Sequence, residues 1–95
     1  MSEGIAEFRQ ALKDDPAYAL GHFNLANVQA KDGHAEEAAR EFLLAIRYAG
    51  KDERLRGMSV DRLAGLRGAP GVAPILAEAA GDADPAVRAA AGGRP

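Results

Sequence analysis

The amino-acid sequence predicts an all-α fold made of antiparallel helix-turn-helix repeats, and three observations lead to this prediction. A seven-residue segment recurs 34 residues further along the chain. Between turn signals, apolar residues follow the three-to-four-residue spacing of a helix. Aromatic residues are only 5% of the chain and alanine dominates the apolar share of 47%, which suits helices that pack closely through small side chains. At 95 residues the chain is one small domain, which we place at residues 1–91.

The recurring segment is EFRQALK at Glu7–Lys13, which matches EFLLAIR at Glu41–Arg47. Glutamate, phenylalanine and alanine are identical in the two copies, and the Leu/Ile and Lys/Arg pairs are conservative. A period of 34 residues is that of a repeat built from two helices and a turn.

The segments between the two copies agree with that period. The turn at 14–16 ends a first helix, because the residue before a proline is pushed out of the helical region. Residues 17–31 have helical spacing, and Gly33 suits the left-handed conformation that ends a helix. Residues 35–48 form the next helix, with acids in its first turn and a base near its end, as the helix dipole favours. Its apolar stripe consists of Ala38, Phe42, Ala45 and Ile46.

With this pattern of helices and turns, the chain resembles the tetratricopeptide repeat family. Residues 19–52 are similar to one complete repeat, and residues 3–16 to the second helix of a preceding repeat. The pattern is carried by Leu25, Ala26, Gly33, Ala38, Phe42 and Ala45, and by Phe8, Ala11 and Pro16. His22 stands where the family favours tryptophan, Gln29 where it favours tyrosine, and Gly50 where it has a closing proline. The resemblance implies a short right-handed superhelical array of stacked hairpins, with Phe8 and Phe42 filling the space between successive hairpins.

The C-terminal third admits two interpretations. Helical spacing in residues 53–68 and 71–80 predicts a third, degenerate repeat over 53–86. Alternatively, residues 75–91 resemble the turn of a HEAT repeat, in which an acidic turn leads into a helix that begins with a Val-Arg pair. Both interpretations predict helices stacked on helices. The remaining residues, 92–95, are expected to be a frayed tail.

The last predicted helix has a clear beginning. Asp84 is suited to cap it, and Pro85 is suited to its first position. Asp82 and Asp84 also raise the question of a metal, but no calcium loop of twelve residues follows them. We therefore predict a cap and a solvent-facing charge there, and no metal site.

Residues for catalysis are sparse. The chain has no cysteine, which excludes disulfides, thiol nucleophiles and cysteine-bound zinc. His22 and His34 lie on different levels of the predicted hairpin, and we expect each to be on the surface or half-packed. Ser59 has no histidine and acid arranged around it. The sequence thus predicts a protein that is not an enzyme and needs no cofactor.

The N-terminus carries an acid and no apolar run, so it does not resemble a signal peptide. No stretch approaches the 18 apolar residues that indicate a membrane span. We therefore expect a cytoplasmic protein.

The family resemblance also implies a binding surface, since the first helices of tetratricopeptide repeats line a concave groove that holds peptides. Asn24 and Asn27 share one helix face, and their amides can both donate to and accept from a peptide backbone. Lys31 and nearby arginines would attract a carboxylate, so an acidic segment is the expected kind of partner. An ordinary solvent-facing polar helix surface is the alternative. The candidate peptide-binding residues are Leu20, Phe23, Asn24, Asn27, Lys31, Arg54 and Arg56.

Two further functions stay open. The chain could be an architectural, self-associating piece of a larger solenoid, because its predicted end helices lack neighbours. Residues 47–67 carry six bases against three acids, whereas residues 1–46 carry four bases against eight acids. Such a basic stretch is a candidate nucleic-acid contact, although Tyr48 is its only aromatic residue.

Overall fold

The protein is all-α, as the sequence predicts. The computed structural model describes residues 2–92, with side chains from Ala6 onward, and these residues form six helices and no strand. Except for Gly92, the predicted frayed tail lies outside the described residues. The helices are α1 Ser2–Asp14, α2 Ala19–Lys31, α3 Ala35–Tyr48, α4 Glu53–Ala64, α5 Val72–Ala79 and α6 Pro85–Ala90.

The ends of the helices follow from local chemistry. Gly33 has a φ of 84°, and the N–H of His34 donates to the carbonyl of Gln29 at 2.8 Å. This is the Schellman arrangement that closes α2. Asp52 caps α4 by accepting from the N–H of Leu55 at 3.0 Å. Asp84 caps α6 with Pro85 in the first turn, as the sequence predicts.

Helix α3 is the centre of the core, since it packs against α2, α4, α5 and α6. Three of its alanines, Ala38, Ala39 and Ala45, are fully buried. Because a methyl group takes little space, the neighbouring backbones can approach α3 closely on several sides. Phe42 and Ile46, each 1% exposed, fill the remaining volume between the helices.

The C-terminal third departs from a regular hairpin. Helix α4 ends at Ala64 instead of continuing to residue 68, and turns then lead to Gly71, whose φ is 83°. Helix α5 packs on α3, while α6 packs on both α3 and α4. In the described residues, α4 and α5 share little contact of their own. The third repeat over 53–86 and its HEAT-like alternative therefore both stay predictions.

Two side-chain bonds join parts of the chain that are distant in sequence. Arg62 on α4 donates to the amide oxygen of Asn27 on α2 at 2.9 Å, and Arg47 on α3 donates to Asp82 at 2.5 Å. The first bond connects α2 to α4, and the second connects α3 to the turn before α6. The packing of the helices is consistent with a helical repeat array.

Phe42→Ala should lower the free energy of unfolding by about 3–5 kcal/mol, because the ring is buried and its loss leaves a cavity. Phe8→Ala is the matched control: it occupies the equivalent position of the other copy but is only half-buried, so we expect a smaller loss. Urea unfolding followed by circular dichroism measures both. Equal losses for the two variants would contradict the placement of Phe42 in the core.

Candidate functional site

Helices α2, α4 and α6 present one exposed surface. Helix α4 contacts α6 directly, and the bond from Arg62 to Asn27 joins α4 to α2. We call this surface the α2–α4–α6 face. It consists of Leu20, Asn24, Asn27, Lys31, Arg54, Gly57, Met58, Asp61, Ala86 and Ala89.

The face contains most of the binding residues predicted from the sequence. Leu20 is 43% exposed, Lys31 is exposed, and Asn24 and Asn27 are partly exposed. Their spacing of three and four residues places them on one side of α2. Shifting Leu20, Asn24 and Asn27 by the 34-residue period gives positions on α4 that are also exposed. These positions are Arg54, Met58 and Asp61.

Phe23 corrects the sequence prediction. Its side chain is 7% exposed, and its ring packs edge-on against Phe42 with centroids 6.0 Å apart. The guanidinium of Arg62 lies 5.8 Å above the ring, so it covers the side that was expected to face the groove. Phe23 therefore belongs to the core, and Arg62 takes its place at the surface.

Two other predicted residues are held by the protein itself. The oxygen of Asn27 accepts from Arg62, which leaves the amide nitrogen as the part available to a ligand. Arg56 is half-buried and donates to the carbonyl of Gly50 in the turn before α4. By contrast, Arg54 is exposed on the face. Helical spacing could have predicted that Arg54 and Arg56 do not both face a ligand, since residues two apart lie on different sides of a helix.

A groove between α4 and α6 was not predicted from the sequence. It encloses about 400 Å³. Its walls are apolar, formed by Gly57, Val60, Ala86, Ala89 and Ala90, while Glu53, Arg56 and Asp61 stand among them. The alanines of α6 recur at helical spacing, but the sequence alone could not show that α6 packs beside α4.

The bases of residues 47–67 are largely engaged within the protein. Of the six bases, Arg47 pairs with Asp82, Arg56 with Gly50, Arg62 with Asn27, and Arg67 with the carbonyl of Ala90 at 2.9 Å. Guanidinium groups that bind protein acceptors have fewer N–H groups left for phosphates. This distribution disfavours the nucleic-acid hypothesis.

Asp82 and Asp84 organise the turn before α6. The N–H of Asp84 donates to Asp82 at 2.8 Å, and Arg47 reaches the other oxygen of Asp82 from α3. The backbone N–H first, and then the guanidinium, lower the pKa of Asp82 below its ordinary value. The same hydrogen bond raises the pKa of Arg47. The hydrogen bond from Arg47 to Asp82 thereby holds this turn against α3.

The two histidines have different environments, and the expectation for His22 was wrong. His22 is 6% exposed, and its Nδ1 lies 2.6 Å from Glu41 Oε1, while its Nε2 donates to the carbonyl of Pro16 at 2.7 Å. Its ring also stacks on Tyr48. His34 is exposed, with its Nδ1 3.5 Å from Glu37. His22 thus fastens the turn before α2 to α3.

Comparison with protein-family models, curated proteins and solved structures gave no match to this chain. Among the described residues, no helix is long and apolar enough to cross a membrane.

Asp82→Asn should lower stability at neutral pH, because the charged partner of Arg47 is lost. The folded pKa of Asp82 is depressed, so the charge stabilises the fold above the ordinary aspartate pKa of about 4 and ceases to do so as the pH falls through the folded value. The difference between wild type and variant should therefore shrink in acid. Thermal unfolding from neutral to acidic pH measures it, with Asp61→Asn on the exposed side of α4 as the control. A constant difference across that range would contradict the charge pairing.

Glu41→Ala should lower the free energy of unfolding by about 1–3 kcal/mol, because it leaves the buried ring nitrogen of His22 without a partner. Glu37→Ala, one turn earlier on α3, is the control. Its carboxylate lies on the surface, 3.7 Å from Arg9, where an ion pair contributes about 0–1 kcal/mol. Chemical denaturation measures both, and similar small losses would show that the His22 contact adds little.

Proposed function

We propose that this protein is a protein-interaction module that binds a segment of a partner across the α2–α4–α6 face. The observation that carries the proposal is the continuity of this surface. The bond from Arg62 to Asn27 sets α2 beside α4, and the apolar groove extends the surface to α6. A segment lying across three helices can therefore meet polar and apolar contacts in turn.

The chemistry of the face suits a peptide. The amide of Asn24 and the free nitrogen of Asn27 can bond to backbone carbonyls and N–H groups. Leu20 and Met58 are both exposed, and a thioether adapts its shape to different partners. The groove between α4 and α6 is large enough for an apolar side chain of the partner.

The charged residues of the face indicate which charge the partner segment should carry. Lys31 and Arg54 are exposed at the face, and both can donate to carboxylates. Asp61 and Glu53 line the groove between α4 and α6 together with Arg56, whereas α2 carries Lys31 and no acidic residue. We therefore favour a segment with an acidic residue on the α2 side and an apolar residue over α6.

The test is selection of binding peptides from a random twelve-residue library displayed on phage, followed by affinity measurement on the selected peptides. Leu20→Ala and Asn24→Ala should each weaken binding by about fivefold or more, since central contact residues cost over 1 kcal/mol when truncated. Glu78→Ala is the control, because this exposed residue lies on α5, away from the face. The selected sequences should share an acidic and an apolar position.

Two outcomes would contradict the proposal. One is that no peptide binds saturably. The other is that Leu20→Ala and Asn24→Ala leave affinity unchanged. If the protein instead forms dimers that the Leu20→Ala variant disrupts, the architectural alternative would replace the binding proposal, since the face would then be occupied by a second copy.

A further inference from the structure

His22 lies where three parts of the fold meet, namely α2, α3 and the turn before α2. Its ring is buried, and each of the two ring nitrogens faces an oxygen. Nδ1 lies 2.6 Å from the carboxylate of Glu41, and Nε2 lies 2.7 Å from the backbone carbonyl of Pro16. The ring of Tyr48 stacks on the imidazole. We call these four groups the His22 junction.

The two oxygens of the junction decide how many protons the ring must carry. A backbone carbonyl and a carboxylate both accept hydrogen bonds and have no hydrogen to donate. A neutral imidazole has one N–H, so it donates to one oxygen and turns a bare nitrogen towards the other. Only the imidazolium donates at both nitrogens. Since a histidine holds a proton more tightly than a glutamate does, the proton between Nδ1 and Glu41 belongs to the ring.

The ring of Tyr48 favours the same charged form. Its centroid lies 5.7 Å from that of the imidazole, with 24° between the two planes. The face of an aromatic ring carries partial negative charge, so it attracts a cation stacked upon it. A buried charge is costly when it stands alone. Here the imidazolium has an ionised partner, and both of its N–H groups are bonded.

The other charged groups of α1 and α3 near the ring largely offset one another. Arg9 of α1 and Glu37 of α3 line the same cleft as His22, and their charged groups lie 3.7 Å apart. Arg40 of α3 also lines this cleft, but its side chain is exposed. Water and salt therefore weaken its repulsion of a charged ring. Glu41 is the ionised group in direct contact with the imidazole.

The charges on α2 and in the turn before it are all exposed. Apart from His22, the only ionisable residue of α2 is Lys31, at the far end of the helix. In the turn, Asp15 accepts from the N–H of Ala17 at 3.2 Å. Solvent screens such exposed charges, so they do not replace Glu41 as the partner of the ring. The exposed charges at the end of α1 and in the turn are Lys13, Asp14 and Asp15.

We propose that the His22 junction is a proton-dependent contact that holds the turn after α1 against α3. While the ring is protonated and Glu41 is ionised, both hydrogen bonds are present. When the pH rises and the ring loses a proton, a bare nitrogen faces an oxygen and one bond is lost. The stabilisation is therefore present on the acidic side of this titration and is lost as the pH rises.

The expected consequence is local. Helix α1 packs on α2 and leads directly into the turn that contains Pro16, so raising the pH should loosen α1 and this turn. The core around Phe42 should be unaffected, because it lies on the other side of α3 from no titrating group of the junction and keeps its apolar contacts. This proposal does not depend on the binding of a partner to the α2–α4–α6 face.

Nitrogen NMR of the isotope-labelled protein tests the protonation state directly, because a bare ring nitrogen resonates far from a protonated one. At neutral pH the wild type should show two protonated nitrogens for His22. Glu41→Gln should show one protonated and one bare nitrogen, since the new amide donates to Nδ1 and removes the need for a second proton. His34→Gln leaves His22 as the only histidine of the chain and assigns the signals.

Amide hydrogen exchange measures the consequence for the fold. The N–H groups of Asp15, Tyr18 and His22 donate to carbonyls in and beside the turn. Their protection factors should fall about tenfold or more as the ring goes from two protons to one, because a charge-assisted hydrogen bond is lost. The fall should be absent in Glu41→Gln. It should persist in His34→Gln, since that histidine is exposed.

Three results would overturn the proposal. The first is a bare His22 nitrogen in the wild type at neutral pH, a measurement that requires no variant to fold. The second is a set of protection factors that stays constant while the ring titrates. The third is a fall of equal size in Glu41→Gln, which would show that the pH dependence arises elsewhere in the protein.

Discussion

The close approach of four helices to α3 is the constraint on which the rest of the structure depends. Ala38, Ala39 and Ala45 leave no side-chain bulk between α3 and its neighbours, so α2, α4, α5 and α6 can all pack on one central helix. In a chain of 95 residues this arrangement provides a core that separate hairpins could not, because small domains bury a limited share of their surface. The position of the α2–α4–α6 face follows from it, because all three helices of that face pack on α3.

Helix α2 adjoins α4 on one side and α1 and α3 on another, and its periodicity explains how. Leu20, Asn24 and Asn27 lie on the side that adjoins α4, while His22 and Gln29 lie on the side that adjoins α1 and α3. Polar residues of α2 therefore lie on two of its sides. His22 and Gln29 are also two of the three positions at which the sequence departs from the tetratricopeptide pattern, and both line a cleft between α1 and α3.

Much of the fold could be predicted from the sequence because it depends on local chemistry. Gly33 ends α2, Asp84 and Pro85 begin α6, and the apolar stripe of α3 is buried as its spacing indicates. The exposed positions of α2 were predictable for the same reason. The burial of His22 was not, because it depends on Glu41, Pro16 and Tyr48 meeting one ring across three elements. The contact between the Arg62 guanidinium and the Phe23 ring likewise depends on how α4 lies against α2. A local sequence pattern does not predict that arrangement.

The most direct test of the central position of α3 is native-state amide hydrogen exchange, residue by residue, under mild denaturant. If the fold depends on α3, the amides around Ala38, Phe42 and Ala45 should exchange only through global unfolding and match its free energy. The amides of α1 and α5 should open at lower free energy. Exchange of the α3 amides at a lower free energy than those of its neighbours would contradict the account.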